Sequence, residues 1–146
     1  MKSFVPKSNP ERIRISVRGV LKDKGKLLLL KRSARDKHMP KVWEFPGGKL
    51  EDGQTLMQSL KREIKEEAGI SVSVIDDPVV LFETVKRGRY DGFSYIQIVY
   101  PVKISGGKIK VGDEHDECGW FSEKEIMKMK TKSGTKKIIN TLYGTK

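Results

Sequence analysis

Cysteine is nearly missing from this chain of 146 residues: Cys118 is the only one. No internal disulfide can form, so stability has to come from core burial, and a reducing compartment is compatible. Long apolar runs are missing too. The purest, Leu27 to Leu30, falls far short of the roughly 20 residues a membrane-spanning helix needs. The N-terminus has no signal-peptide core, so no membrane partner is expected and the cytoplasm is the default. No internal repeat or interdomain linker is visible. Acidic residues are the scarcer charge, with 19 Asp and Glu against 30 Lys and Arg, a formal net charge of +11. That balance favours polyanionic partners, whether nucleotides, nucleic acid or other phosphorylated compounds, without choosing among them. A hydrophobic content of 36% beside 34% charged residues suits one soluble globular domain with a real core.

Against this basic background, two concentrations of acid stand out. The first lies in the stretch from Gly47 to Ile70, a glycine-rich loop that runs into an acidic helix. Thr55 and Gln58 form a capping box that starts the helix, and Gly69 offers the left-handed residue that stops it. Leu56, Leu60, Ile64 and Ala68 recur every four residues as the buried stripe, opposite Gln58, Lys61 and Lys65. Glu63, Glu66 and Glu67 stand at i, i+3 and i+4 on one edge, and Glu67 projects into the apolar sector. Like charges this close, one of them partly buried, resist ionisation. A divalent cation with oxygen ligands, such as Mg²⁺, would relieve that. The plainer alternative is a salt-bridged surface helix with Arg62, Lys61 and Lys65 as partners.

Gly48, five residues, Gln54, seven residues, Arg62-Glu63-Ile64, Glu66-Glu67 and Gly69-Ile70 resembles the Nudix box of the Nudix hydrolases. Gln54 is the one departure, since the family usually has Glu there. Upstream, Lys31-Arg32-Ser33-Ala34, His38-Met39 and Glu44-Phe45-Pro46-Gly47-Gly48-Lys49 are similar to the MutT branch. The resemblance implies a Nudix-type α/β/α sandwich with a mixed β-sheet in a single domain. It implies that Glu63, Glu66 and Glu67 coordinate Mg²⁺ or Mn²⁺ with the Gly47 carbonyl, and that Arg62 orients a carboxylate. Arg32 and Lys49 become phosphate-side candidates, and Phe45 a residue bordering the base. For Phe45, as for neighbouring Trp43, core packing is the competing reading.

The second acid-rich stretch is Asp113-Glu114-His115-Asp116-Glu117, ahead of Trp120. MutT-like enzymes use a glutamate six residues before a tryptophan as a further ligand or base. That count reaches Glu114, with Glu117 as the rival. Overall, the resemblance implies metal-dependent hydrolysis of a nucleoside polyphosphate at a diphosphate linkage, with 8-oxo-dGTP the first substrate to test. Two alternatives remain. One is an RNA-end or RNA-binding protein using Lys128, Lys130, Lys132, Lys136 and Lys137. The other is a domain that binds nucleotide without cleaving it, suggested by Gln54.

Along the chain, residues 1 to 10 read as a flexible lead-in to a domain over 11 to 146. Ile13, Ile15 and Val17 alternate with polar residues as a half-buried strand. Lys22 to Gly25 turns back into Leu27 to Leu30, expected to pair with the first strand. A polar connector with His38 leads to a short strand, Val42 to Phe45. Further strands are expected at Val72 to Val74, Val79 to Val85, Phe93 to Ile104, ended by Gly106-Gly107, and Lys108 to Val111. Lys86 to Gly92 forms a loop. Helices are expected over Glu123 to Met129, capped by Ser122 and Glu125, and from about Thr135 to Tyr143.

Overall fold

The computed structural model describes residues 13–84 and 92–144. The lead-in over residues 1 to 10 and most of the loop from Lys86 to Gly92 lie outside the described residues. Eight strands and three helices follow one another: β1 Ile13–Asp23, β2 Lys26–Arg32, β3 Trp43–Glu44, β4 Gly47–Lys49, α1 Leu56–Ala68, β5 Ile70–Val74, β6 Val79–Thr84, β7 Ser94–Gly107, β8 His115–Phe121, α2 Glu123–Met127 and α3 Thr135–Tyr143. Among the described residues, no helix is long and apolar enough to cross a membrane.

The leucine run explains the layering. Leu28 and Leu30 pack with Leu60, Ile64 and Ala68 of α1, while Leu27 and Leu29 pack with Ile126 of α2 and Ile138 and Ile139 of α3. Successive strand residues point to opposite faces, so four consecutive leucines require a helix layer on each side. The mixed sheet is therefore the middle layer of an α/β/α sandwich. Leu28 is wholly buried, and Leu28→Ala would cost about 2–5 kcal/mol.

The strands pair less locally than the sequence suggests. β1 and β2 form the expected hairpin, but they pair only at Lys22–Leu27 and Asp23–Lys26. Beyond that β1 runs parallel to β7 over nine residue pairs, and β2 pairs instead with β8. β7 continues through Gly106-Gly107, where a strand end was expected, to meet β5. Lys108 to Val111 forms no strand among the described residues. Backbone bonds from Lys110 to Ala68 and from Gly112 to Glu67 tie the segment to the end of α1. The strand that follows, β8, had no clear pattern because its first three residues are a histidine and two acids.

Candidate active site

The fold brings the loop before α1 against its acidic edge. Thr55 and Gln58 exchange both capping-box hydrogen bonds, and Gly69 closes the helix at φ 73°. β4 pairs with β1, opposing Gly47 to Arg18 and Gly48 to Val17. Gly47 has φ 145°, and a Cβ there would lie 2.1 Å from the Val17 carbonyl oxygen. A Cβ on Gly48 would lie 2.5 Å from the Glu63 carboxyl group. The two glycines are thus required by close approach on both sides, and they let β4 lie directly against α1.

Glu63, Glu66 and Glu67 line one cavity of about 230 Å³ with Gly112, Asp113, Glu114 and His115. The downstream acid cluster therefore meets the helix acids. A neighbouring cavity of about 580 Å³ shares Asp113 and Glu114 and adds Arg32, Ser33, Arg35, Asp36 and Asp116. Glu114 stands between the two. Glu117 instead sits on β8 opposite Lys31 and lines neither cavity.

Within the first cavity the acids differ sharply. Arg62 Nη2 donates to Glu63 at 3.0 Å and Nη1 to Glu66 at 3.3 Å, while Nε donates to Gln54 Oε1 at 3.2 Å. Gln54 Oε1 also accepts from Ser59 Oγ at 3.0 Å. The neutral amide thus does the orienting that a carboxylate would do, without its charge. Glu67 has no such cation in contact. It is 6% exposed, and Oε1 accepts one backbone bond, from Gly47 N at 3.2 Å. Burial, with repulsion from Glu44 and Glu63, outweighs Arg18 and the Gly47 bond and pushes its carboxyl up to about 8. Glu63 is also raised, chiefly by burial, with repulsion from Glu66 and Glu114 and opposition from Arg62.

Next to the cavity lies a buried cluster around Glu44 and His115, two residues assigned no role from sequence. Glu44 Oε2 lies 2.8 Å from His115 Nε2 and 3.0 Å from Arg32 Nη1, and Oε1 is 3.4 Å from Arg18 Nη1. Burial alone would push Glu44 up. Arg18 first, then the His115 bond and the charges of Lys132 and Arg32, hold it at about 2. His115 Nε2 is also 3.8 Å from Glu67 Oε2. One ligand atom from each of Glu44, Glu67 and His115 lies within 4.8 Å of the others, a possible metal-holding set among the described residues. Glu63 and Glu66 lie outside that set, drawn onto Arg62. Glu44 is already neutralised by cations, whereas for Glu67 the Arg18 charge and the Gly47 bond are outweighed by burial and like-charge repulsion. The all-oxygen donors of Glu63, Glu66, Glu67 and Glu114 suit a hard divalent cation, and the state of Glu67 is what such a cation would relieve.

Other candidates are placed differently from expectation. Phe45 is 1% exposed in the core with Val20, Leu27 and Ile138. Its ring packs in the core, the reading that competed with a place beside the base, and its carbonyl accepts from Arg18 Nη1 at 2.7 Å. Trp43 packs edge-on against Phe121 with ring centroids 4.9 Å apart. Arg32 lines the second cavity, but its guanidinium is held by Glu44 and Asp36, so a phosphate would compete with two carboxylates. Lys49 is exposed on β4 and lines neither cavity. Lys132, grouped in sequence with four other lysines as a basic patch, is half-buried and donates to Tyr95 Oη at 3.2 Å.

The family model for the NUDIX domain matches residues 10–142. The chain belongs to the Nudix family. Its nucleotide-handling relatives diverge in what they are named for. The 8-oxo-dGDP phosphatase of Mus musculus is 32% identical over 84 residues, covering 55% of this chain and 24% of that protein. The ADP-ribose pyrophosphatase of Methanocaldococcus jannaschii is 28% identical over 115 residues, covering 79% of this chain and 65% of the relative. The crystal structure of the MutT protein from Methanosarcina mazei Go1 superposes with a TM-score of 0.76 at 26% identity, covering 92% of this chain and 95% of the other. This chain thus spans about a quarter of the mouse relative and nearly all of the archaeal structure.

Proposed function

We propose that this Nudix chain hydrolyses a nucleoside polyphosphate at a diphosphate linkage, with Mg²⁺ or Mn²⁺ held by Glu63, Glu66, Glu67, the Gly47 carbonyl and Glu114. The observation that carries this reading is the meeting of helix and loop acids around one cavity, with Glu67 buried and only partly compensated. A divalent cation in such a site neutralises phosphate oxygens and makes a bound water more acidic. The chain's own residues do the remaining work. Arg62 holds Glu63 and Glu66 in place for ligation. Glu114, at the mouth of both cavities, is positioned to accept a proton from the attacking water. The adjoining cavity gives space for the rest of the substrate beside Glu114.

An 8-oxopurine nucleoside triphosphate is the first substrate class, supported by the MutT-like motif and by the similarity to the 8-oxo-dGTP diphosphatase of Proteus vulgaris, 47% identical over 55 residues. The name of the mouse relative adds the diphosphate 8-oxo-dGDP to the panel. The test is release of pyrophosphate or phosphate from 8-oxo-dGTP, 8-oxo-dGDP, unmodified triphosphates, ADP-ribose and a triphosphate-ended RNA, with and without Mg²⁺. Mg²⁺-dependent cleavage of a small nucleotide supports the reading. Binding without cleavage across the panel, or cleavage confined to RNA ends, would replace it.

A further inference from the structure

A single register shift decides which way His115 points. β8 opposes Glu117 to Lys31 and His115 to Arg32, so Asp116 is an extra residue between two consecutive positions of β2. Strict alternation would put His115 and Glu117 on the same face. Instead Glu117 is exposed and His115 is 6% exposed. A bulge that adds one residue re-aims the side chains around it in this way.

The consequence falls on Glu114. The segment from Gly112 to Asp116 is held on two sides by backbone: Gly112 N donates to Glu67 O at 2.9 Å, and Ser33 N donates to Glu114 O at 3.0 Å. Asp116 takes the Ala34 N–H at 2.9 Å. The fourth hold is the His115 side chain, inserted between Glu44 and Glu67. Glu44 is ionised and accepts only, so Nε2 carries the proton and donates to it at 2.8 Å. Nδ1 is buried without a protein partner, so the Glu44 bond is the ring's anchoring hydrogen bond. Glu44 is in turn fixed by Arg18 and Arg32.

We propose that His115 is a positioning residue: turned inward by the bulge and anchored on Glu44, it holds Glu114 over the acid cavity. This rests on the reading of that cavity as the active site. His115 acts through Glu114, as outer partners of metal ligands do.

The test is a double-mutant cycle read by Mn²⁺ titration and by kcat on the best nucleotide found. His115→Leu and His115→Asn should weaken Mn²⁺ binding or lower kcat by about 10- to 100-fold. His115→Gln, whose amide carries an N–H close to the place of Nε2, should retain most of both. Because asparagine and glutamine differ only in reach, loss in one and rescue by the other is not a failure to fold. In a Glu114→Gln background the loss from His115→Asn should vanish, since the two act through one group. Wild-type Mn²⁺ affinity and kcat in His115→Asn, or the same fold-loss in both backgrounds, would overturn the proposal. A chain that binds Mn²⁺ with this His115 dependence yet cleaves no nucleotide fails the hydrolase reading alone. An active hydrolase with a silent His115→Asn fails the positioning role alone, and a chain that binds no Mn²⁺ ends both.

Discussion

Glu44 and Glu67 are both almost fully buried and contribute ligand atoms within 4.8 Å of each other, yet one is held at about 2 and the other pushed up to about 8. Burial is the largest influence on each and acts in the same direction. What differs is compensation. Glu44 has Arg18, Arg32 and His115 in contact, whereas Glu67 has the charge of Arg18 without a contact, one backbone N–H, and two like charges against it. A buried carboxylate with full compensation is part of the framework. One left short of it is a candidate ligand for a cation from outside the chain.

The sharpest way to break that contrast is to uncharge the framework acid. Glu44→Gln leaves Arg18 and Arg32 without their shared carboxylate, so unfolding in urea should show a loss of about 3–5 kcal/mol. The pH dependence of the two acids has opposite sign. Glu44, depressed on folding, contributes stability that is present above its ordinary value near 4.5 and lost as pH falls towards 2. Glu67, raised on folding, binds its proton more tightly in the native state. Metal-free stability from this group is therefore full below about 4.5 and falls as pH rises through about 8. The thermal midpoint in EDTA should drop over that range for the wild type and flatten in Glu67→Gln.

Smaller effects sharpen the comparison at its edges. Glu114→Gln should lower kcat by about tenfold or more, with Glu117→Gln nearly silent, because only Glu114 reaches the cavities. The reverse ranking in steady-state kinetics would move the role to Glu117. The least effect is expected from Gln54→Glu. It gives Arg62 a charged partner where it now has an amide oxygen and adds a favourable charge near the start of α1, a contribution of about 0.3–1 kcal/mol. kcat/KM should rise by no more than roughly tenfold, about 1.4 kcal/mol of barrier. An inert wild type rescued by Gln54→Glu would favour the binding-only alternative.

Local pattern made α1 legible, since its caps, its buried stripe and the inward turn of Glu67 all arise from residues within four positions of one another. The start of α2 followed from the same kind of signal, the capping box of Ser122 and Glu125. The framework acid was harder to see. Glu44 stands among Val42, Trp43 and Phe45, and its burial depends on arginines 26 and 12 residues away in sequence. His115 was hidden by the bulge, because period-two alternation assigns it to the face of Glu117. Phe45 was open to two readings from sequence, and its ring lies just past β3 in the core with Ile126 of α2 and Ile138 and Ile139 of α3. The parallel pairing of β1 with β7 left no local trace, and loop closure across some 80 residues cannot be read from alternation.

The account stands most directly on the proton that Glu67 holds. Isothermal titration of the apo protein with Mg²⁺ at pH 7, in buffers of different ionisation enthalpy, counts the protons released on binding. With Glu67 near 8, the wild type should release about one proton per ion, and Glu67→Gln should bind more weakly and release almost none. Mg²⁺ binding by the wild type without proton release, or with the same release in both proteins, would contradict the claim that this under-compensated carboxylate is the cation's ligand.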